Sequence, residues 1–185
     1  MTLDVARRSV LDGHALPSTD RVKAYALPFA TRLNLRGGAD TVRAVGAAFG
    51  VTPPTKPLSS AVAGARAALW LGPDEWLLLA EPEAEGLFGE LETALAAAFH
   101  SLVDVSHRQV GIAVEGPGAA RLLAAGCPLD LDLRAFPVGM STRTLLVKAE
   151  IGLWRPLENG FHLEVSRSFA PYVARILDEA ARDQG

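Results

Sequence analysis

Apolar positions along the chain switch between two periods, and the switches outline its elements. Tyr25, Leu27, Phe29, Thr31, Leu33 and Leu35 alternate with Ala26, Pro28, Ala30, Arg32 and Asn34, the period of two of a strand with one buried face. Pro28 has no N–H to give to a ladder, so the early part of this strand is expected at a sheet edge. Gly37-Gly38 breaks the alternation, and Val42, Val45 and Phe49 then recur at helical spacing up to a stop at Gly50. The run Pro53-Pro54-Thr55-Lys56-Pro57 makes a stiff, non-helical connection. Ala67–Leu71 and Trp76–Ala80 flank Gly72-Pro73-Asp74-Glu75 and predict a hairpin of buried strands. From Glu83 to Phe99, the residues Leu87, Phe88, Leu91, Leu95, Ala98 and Phe99 form one apolar helical face.

The second half runs through the same order. Val110, Ile112 and Val114 alternate as a strand, Gly116-Pro117-Gly118 turns it, and Ala119, Leu122 and Leu123 carry a helix ended by Gly126 and Pro128. Strands are expected at Thr144–Val147 and Ile151–Trp154, a tight turn at Glu158-Asn159-Gly160, and a further strand through Phe161, Leu163 and Val165. Phe169, Tyr172, Val173, Ile176, Leu177 and Ala180 mark a last helix, with Ser168 placed to cap it. Leu33-x-Leu35-x-Gly37 aligns with Ile112-x-Val114-x-Gly116, and Trp76 aligns with Phe161 at a similar offset. The expected fold class is α+β, a duplicated β-α-β-β-α unit (about 24–100 and 101–185) packed as one domain. Residues 1–23 fit neither unit and read as an N-terminal arm, mobile or laid on a partner.

Composition narrows the function. Eighteen basic against 21 acidic side chains give a net charge of −3, which supplies no broad positive field for phosphates, so nucleic acid is not an expected partner. No apolar run approaches the roughly 20 residues of a membrane span, and the first ten residues, with Asp4, Arg7 and Arg8, lack the apolar core of a leader. A cytoplasmic location is expected. Cys127, the single cysteine, sits in an apolar setting and reads as a small buried hydrophobe. A mean hydropathy of +0.20 in a chain of 185 residues suggests more apolar surface than one core can hide, hence a partner-facing surface.

Candidate chemistry is sparse. Asp104-Val-Ser106-His107-Arg108-Gln109 holds an acid, a hydroxyl and an imidazole, but on a strand Asp104 and Ser106 share a side that His107 does not, whereas a triad needs the imidazole between them. The segment reads instead as a polar break or bulge within a long strand, bonding the backbone or a facing surface. His14, His100, His107 and His162 show no metal-binding spacing. Gly37-Gly38 and Gly116-Pro-Gly118 lack a complete phosphate-binding motif and read as strand-to-helix turns. Trp70, Trp76 and Trp154 read as core or interface anchors, and Arg143 and Arg167 as charged contacts or solvated arginines. The residues favour an interaction domain over an enzyme, with no catalytic, cofactor-binding or metal-ligating residue.

Four motifs then carry a resemblance. Leu71-Gly-Pro-Asp-Glu-Trp-Leu-Leu78, Val103-Asp-Val-Ser-His-Arg-Gln109, Gly116-Pro-Gly-Ala-Ala-Arg-Leu-Leu-Ala-Ala-Gly-Cys-Pro-Leu-Asp130 and Val165-Ser-Arg-Ser-Phe169 together resemble the gamma subunits of heterotetrameric sarcosine oxidase, over about residues 25–180. The wider kin are the folate-binding domains of aminomethyltransferases, whose Asp-x-Ser strand and Gly-led helix are similar to Asp104–Leu123. Those relatives carry an acid soon after a glycine in a strand pair, where this chain has Ile151-Gly-Leu-Trp-Arg155 and only the preceding Glu150. The resemblance implies a subunit without a cofactor of its own. It would be assembled with an alpha subunit binding NAD and tetrahydrofolate, a beta subunit holding FAD and FMN, and a delta subunit with zinc. The implied complex oxidises sarcosine to glycine. Asp104, Ser106, His107, Arg108, Arg167 and Ser168 are then the candidate subunit contacts. The alternative is a stand-alone folate-binding one-carbon carrier or transferase, which a carboxylate-lined pocket between the halves would favour.

Overall fold

The structure, a computed structural model, describes residues 8–82, 84 and 86–183. In chain order the elements are β1 (Lys23–Ala26), β2 (Thr31–Gly37), α1 (Ala39–Phe49), β3 (Ser60–Ala63), β4 (Arg66–Gly72), β5 (Glu75–Ala80) and α2 (Leu87–Leu95). There follow β6 (His100–Asp104), β7 (Gln109–Glu115), α3 (Ala119–Ala124), β8 (Ser141–Leu146), β9 (Ala149–Leu157), β10 (Gly160–Ser166) and α4 (Ala170–Arg182). They build two antiparallel five-stranded sheets, β6-β2-β5-β4-β3 and β1-β7-β10-β9-β8, called here the first and second sheet.

The two sheets carry their strands in one common order, and each takes its outermost strand from the other half of the chain. β1 leaves the first half to pair with β7, while β6 pairs back onto β2. The structure corrects the sequence reading at this point. The single strand expected over Tyr25–Leu35 is two strands in different sheets, because Pro28 interrupts the ladder and residues 27–30 cross between them. The polar break expected at 104–109 is likewise the turn that carries the chain from β6 in the first sheet to β7 in the second, not a bulge in one strand. Three strands separate the helices of each half, where the repeat unit allowed two; the second half has the three expected along it, and in the first half Ser60–Ala63 is the addition, too short for its alternation to register. The helix expected over 83–99 is confined to Leu87–Leu95, and Phe99 lies beyond it, 98% exposed. Ser168 does not cap the last helix: Phe169 holds the N-cap position without a side-chain bond, and Pro171 pre-sets the first turn.

Alternation sorts the strand side chains into layers. Leu33, Leu35, Trp76 and Leu78 pack under α1 and α2 with Val45, Phe49, Leu91 and Leu95. Ile112, Val114, Leu163 and Val165 pack under α3 and α4 with Leu122, Leu123, Val173 and Leu177. The intervening residues Ala67, Leu69, Leu77 and Leu79 turn to the opposite face and meet Trp154 of the second sheet. The result is a helix–sheet–sheet–helix sandwich. Of the N-terminal segment, Leu11 and Val22 are buried in the second core, and the Ala24 N–H donates to the Pro17 carbonyl at 2.8 Å; residues 1–7 lie outside the described residues. The same segment covers the Gly116 turn, where φ is +113° and a methyl group would lie 2.4 Å from the Arg21 carbonyl oxygen.

Candidate functional site: the polar seam between the sheets

The faces that the sheets turn toward one another are apolar at one end and charged at the other. On β2 the odd positions Leu33 and Leu35 face the helices, so Arg32 and Asn34 project into the seam; on β10, Leu163 and Val165 do the same and send His162 and Glu164 inward. Arg32 and Glu164 are 2% and 3% exposed and form a two-pronged pair, Nε to Oε2 at 2.6 Å and Nη2 to Oε1 at 3.1 Å. Nη1 of Arg32 donates to the Ala30 carbonyl at 3.2 Å, and Nε2 of His162 lies 2.7 Å from Glu164 Oε1. Glycines make room for the pair: in the ladder Glu164 stands opposite Gly111 on one side and Gly152 on the other. A methyl group at Gly111 would lie 3.0 Å from Arg32 Nη2, and one at Gly152 would lie 3.3 Å from Glu164 Cβ.

Burial pushes the Glu164 carboxyl up, but the hydrogen bond and charge of His162 and the charge and bonds of Arg32 outweigh it. Its pKa therefore falls below the ordinary carboxylate value, and the group is ionised at neutral pH. A second ion pair crosses the seam nearer its mouth, where Arg143 of β8 lies 2.7 Å from Glu75 of β5. Burial raises the Glu75 carboxyl as well, and the bonds from Asn34 and Arg143 outweigh it, for a net lowering.

Two clefts open on either side of the Arg32–Glu164 pair. One, of about 690 Å³, takes Asn34, Glu75 and Leu77 from the first sheet and Gly152, Glu164 and Ser166 from the second, and its rim includes Val103, Leu145 and Phe169. The other, of about 780 Å³, is bounded by Arg8, Pro28, Arg32, Ser106, His107 and Arg167. Gln109 borders both, and its Oε1 is buried without a hydrogen-bond partner. Both volumes fall within the range of small-molecule sites. Among the described residues no three His, Cys, Asp or Glu side chains are placed to hold a metal ion.

The residues singled out from the sequence are distributed around this seam and not gathered at one point. Asp104 accepts the Ser106 N–H at 2.8 Å, and the Ser106 hydroxyl accepts the Arg32 N–H at 2.9 Å, so these two hold the crossover turn against β2. His107 and Arg167 are exposed on the 780 Å³ cleft, and Arg108 is exposed on the 690 Å³ cleft. Ser168 is exposed between β10 and α4. The Arg167 N–H donates to the Arg108 carbonyl at 2.8 Å, which ties the two polar turns together. Sequence reasoning missed Arg32, His162 and Glu164. The available signal was a charged residue inside an apolar alternation, Leu163-Glu164-Val165, with glycines at Gly111 and Gly152 in the neighbouring strands.

The two-sheet fold is shared with solved proteins. The glycine cleavage system aminomethyltransferase T of Bartonella henselae has the same fold, with a TM-score of 0.66 and 16% identity over 91% of this chain and 47% of that one. The fold class is thus mixed α and β of the aminomethyltransferase type. The heterotetrameric sarcosine oxidase of Corynebacterium sp. U-96, solved in complex with pyrrole 2-carboxylate, matches with a TM-score of 0.87 and 32% identity over 96% of this chain and 95% of that one. In sequence, sarcosine oxidase subunit gamma of Arthrobacter sp. is 37% identical over 159 residues, 83% of this chain and 77% of the relative. That of Corynebacterium sp. (strain U-96) is 36% identical over 156 residues, 82% and 75%. The sarcosine oxidase, gamma subunit family matches residues 37–183, and the chain belongs to that family.

Proposed function

We propose that this chain is the gamma subunit of a cytoplasmic, heterotetrameric flavin-dependent sarcosine oxidase, in which it assembles with alpha, beta and delta subunits and carries out no chemistry itself. The observation that carries this reading is the near end-to-end structural match to a chain of such an oxidase, a TM-score of 0.87 with 96% and 95% of the two chains covered. The residues agree with a scaffold role. The Ser106 hydroxyl is engaged by the Arg32 backbone, and apolar Val103, Leu145 and Phe169 stand exposed around one cleft. NAD, tetrahydrofolate, FAD, FMN and zinc would be held by the other subunits. The contacts would include Asp104, Ser106, His107, Arg108, Arg167 and Ser168. In the test, the chain is purified alone and with its cognate subunits: alone it shows no flavin absorbance and no sarcosine oxidation, and in company it enters a flavin-bearing complex. A flavin tightly bound to the isolated chain contradicts the reading.

The 690 Å³ cleft favours a second reading, binding of a folate-type ligand, because it lies between the two halves and bears the carboxylates of Glu75, Glu150 and Glu164. A ligand that binds only the folded state raises its melting temperature in proportion to the logarithm of concentration above Kd. A melting temperature that stays fixed while tetrahydrofolate is raised into the millimolar range counts against it.

A further inference from the structure

We propose that the open edge of β6 receives an extended segment of a partner subunit, which adds to the first sheet as a sixth strand; this rests on the subunit reading above. The other sheet edges are occupied over part or all of their length. Residues 17–19 cover the outer side of β1, through the Ala24 N–H to Pro17 carbonyl bond and the Ser18–Lys23 bridge. The starts of β3 and β8 meet one another through the Ser59–Met140 bridge and the Ser141 N–H to Leu58 carbonyl bond at 3.1 Å. β6 pairs with β2 on one side only, and among the described residues the backbones of His100, Ser101, Leu102 and Val103 make no hydrogen bond to any other segment.

The phase of the ladder says which groups the open side presents. The Val105 N–H donates to the Arg32 carbonyl at 2.9 Å, so the hydrogen-bonded pairs continue at Val103 with Asn34 and Ser101 with Arg36. In the alternating pairs with Gly37 and Leu35, His100 and Leu102 therefore point their N–H and C=O groups away from β2, toward the open side. Solitary edges in folded proteins are blunted by proline, lysine or a bulge, and β6, His-Ser-Leu-Val-Asp, has none of these. Two apolar side chains frame it: Phe99, 98% exposed, and Val103, 48% exposed on the cleft rim. The Phe99 carbonyl accepts the Thr41 hydroxyl at 3.1 Å, which holds the backbone there while its ring stands in water. Main-chain groups in a row with apolar anchors recognise an extended peptide.

Charge indicates the kind of segment. On the rim beside Val103, Arg143 is paired with Glu75 and Glu164 with Arg32, which leaves Arg108 and Lys148 against Glu150, a small net positive charge. The occupant is thus an extended segment with apolar or aromatic side chains and a carboxylate to meet the rim. A second copy of this chain would bring two cationic rims toward one another.

Hydrogen exchange of the free chain and of the complex with its cognate subunits tests this. The peptide spanning 99–105 is expected to exchange at least about tenfold more slowly in the complex, since its outward N–H groups acquire acceptors there. Phe99→Ser and Val103→Lys, at exposed positions, are expected to weaken assembly about tenfold while leaving the melting temperature of the free chain unchanged. A complex that forms with unchanged exchange at 99–105 overturns this inference alone. Failure to form any complex overturns the subunit reading and the inference with it. A concentration-dependent dimer of the free chain that protects the same peptide assigns the edge to self-pairing and also overturns the inference.

Discussion

The outer layers and the central seam of this molecule solve burial in opposite ways. Under the helices both sheets present aliphatic and aromatic side chains, such as Leu35 and Leu91 on one side and Leu163 and Leu177 on the other, each 1% exposed or less. That interface is held by area removed from water, about 25 cal/mol per Å², and it tolerates many sequences of similar volume. Between the sheets, the same strands bury an arginine and a glutamate and bond a half-buried histidine to them, with two glycines cut away to fit the pair. Such a pair adds little net stability over an apolar replacement, because desolvating both charges costs about what their attraction returns. What it contributes is register. Only one alignment of β2 over β10 satisfies both charges, so the difference between the layers is that the outer ones hold each half together and the seam fixes how the halves meet.

The largest effect expected from breaking this contrast is at Arg32. Arg32→Met leaves Glu164 buried with His162 alone to meet its charge and should cost about 4 kcal/mol in urea denaturation, whereas Arg32→Met combined with Glu164→Leu should cost clearly less than that single change. If the double variant is no more stable than Arg32→Met, the seam depends on something other than the pair. In the outer layer, Leu91→Ala removes a fully buried side chain and should cost about 3 kcal/mol, with no partner substitution able to restore it. Gly111→Ala pushes a methyl group to 3.0 Å from Arg32 Nη2 and 3.2 Å from Leu27 Cβ. It should destabilise by about 1–3 kcal/mol, and Arg32→Met should relieve part of that loss when the two are combined.

The smallest effect is a pH dependence whose sign follows from Glu164. Its folded pKa lies below the ordinary glutamate value, so its contribution is fully present above about pH 4.3 and is lost as pH falls through the lower folded value. Measured against Glu164→Gln, the advantage of the unaltered chain should therefore be constant near neutrality and close up in acid. An advantage that grows in acid would mean that the carboxyl is protonated in the folded chain.

How much of this was legible in the sequence follows the same division. Period-two and helical spacing located β2, α1, the β4–β5 hairpin, β7, α3, β10 and α4, because each outer-layer side chain writes its burial into local periodicity. The seam left almost no local trace. Arg32 and Glu164 are 132 residues apart, and each occupies a position in its strand where alternation predicts a solvent-facing residue. The exchange of β1 and β6 between sheets was invisible for a related reason, since strand partnership is set by contacts distant in sequence. Pro28 did mark a weak point, but at an edge and in a break between two strands a proline looks the same from sequence. The motif Asp104-Val-Ser106-His107-Arg108-Gln109 stood out as polar, and its place at the crossover explains that: Asp104 and Ser106 supply bonds that hold the turn to β2, while Arg108 and Gln109 border a cleft.

The measurement that bears most directly on the subunit reading is the mass in solution of this chain, alone and mixed with its cognate sarcosine oxidase subunits, by light scattering on a sizing column. The account predicts that the chain leaves its 19.5 kDa position and elutes with a flavin-bearing assembly. A complete, active assembly that elutes without it, with the chain still at its own mass, would contradict the account.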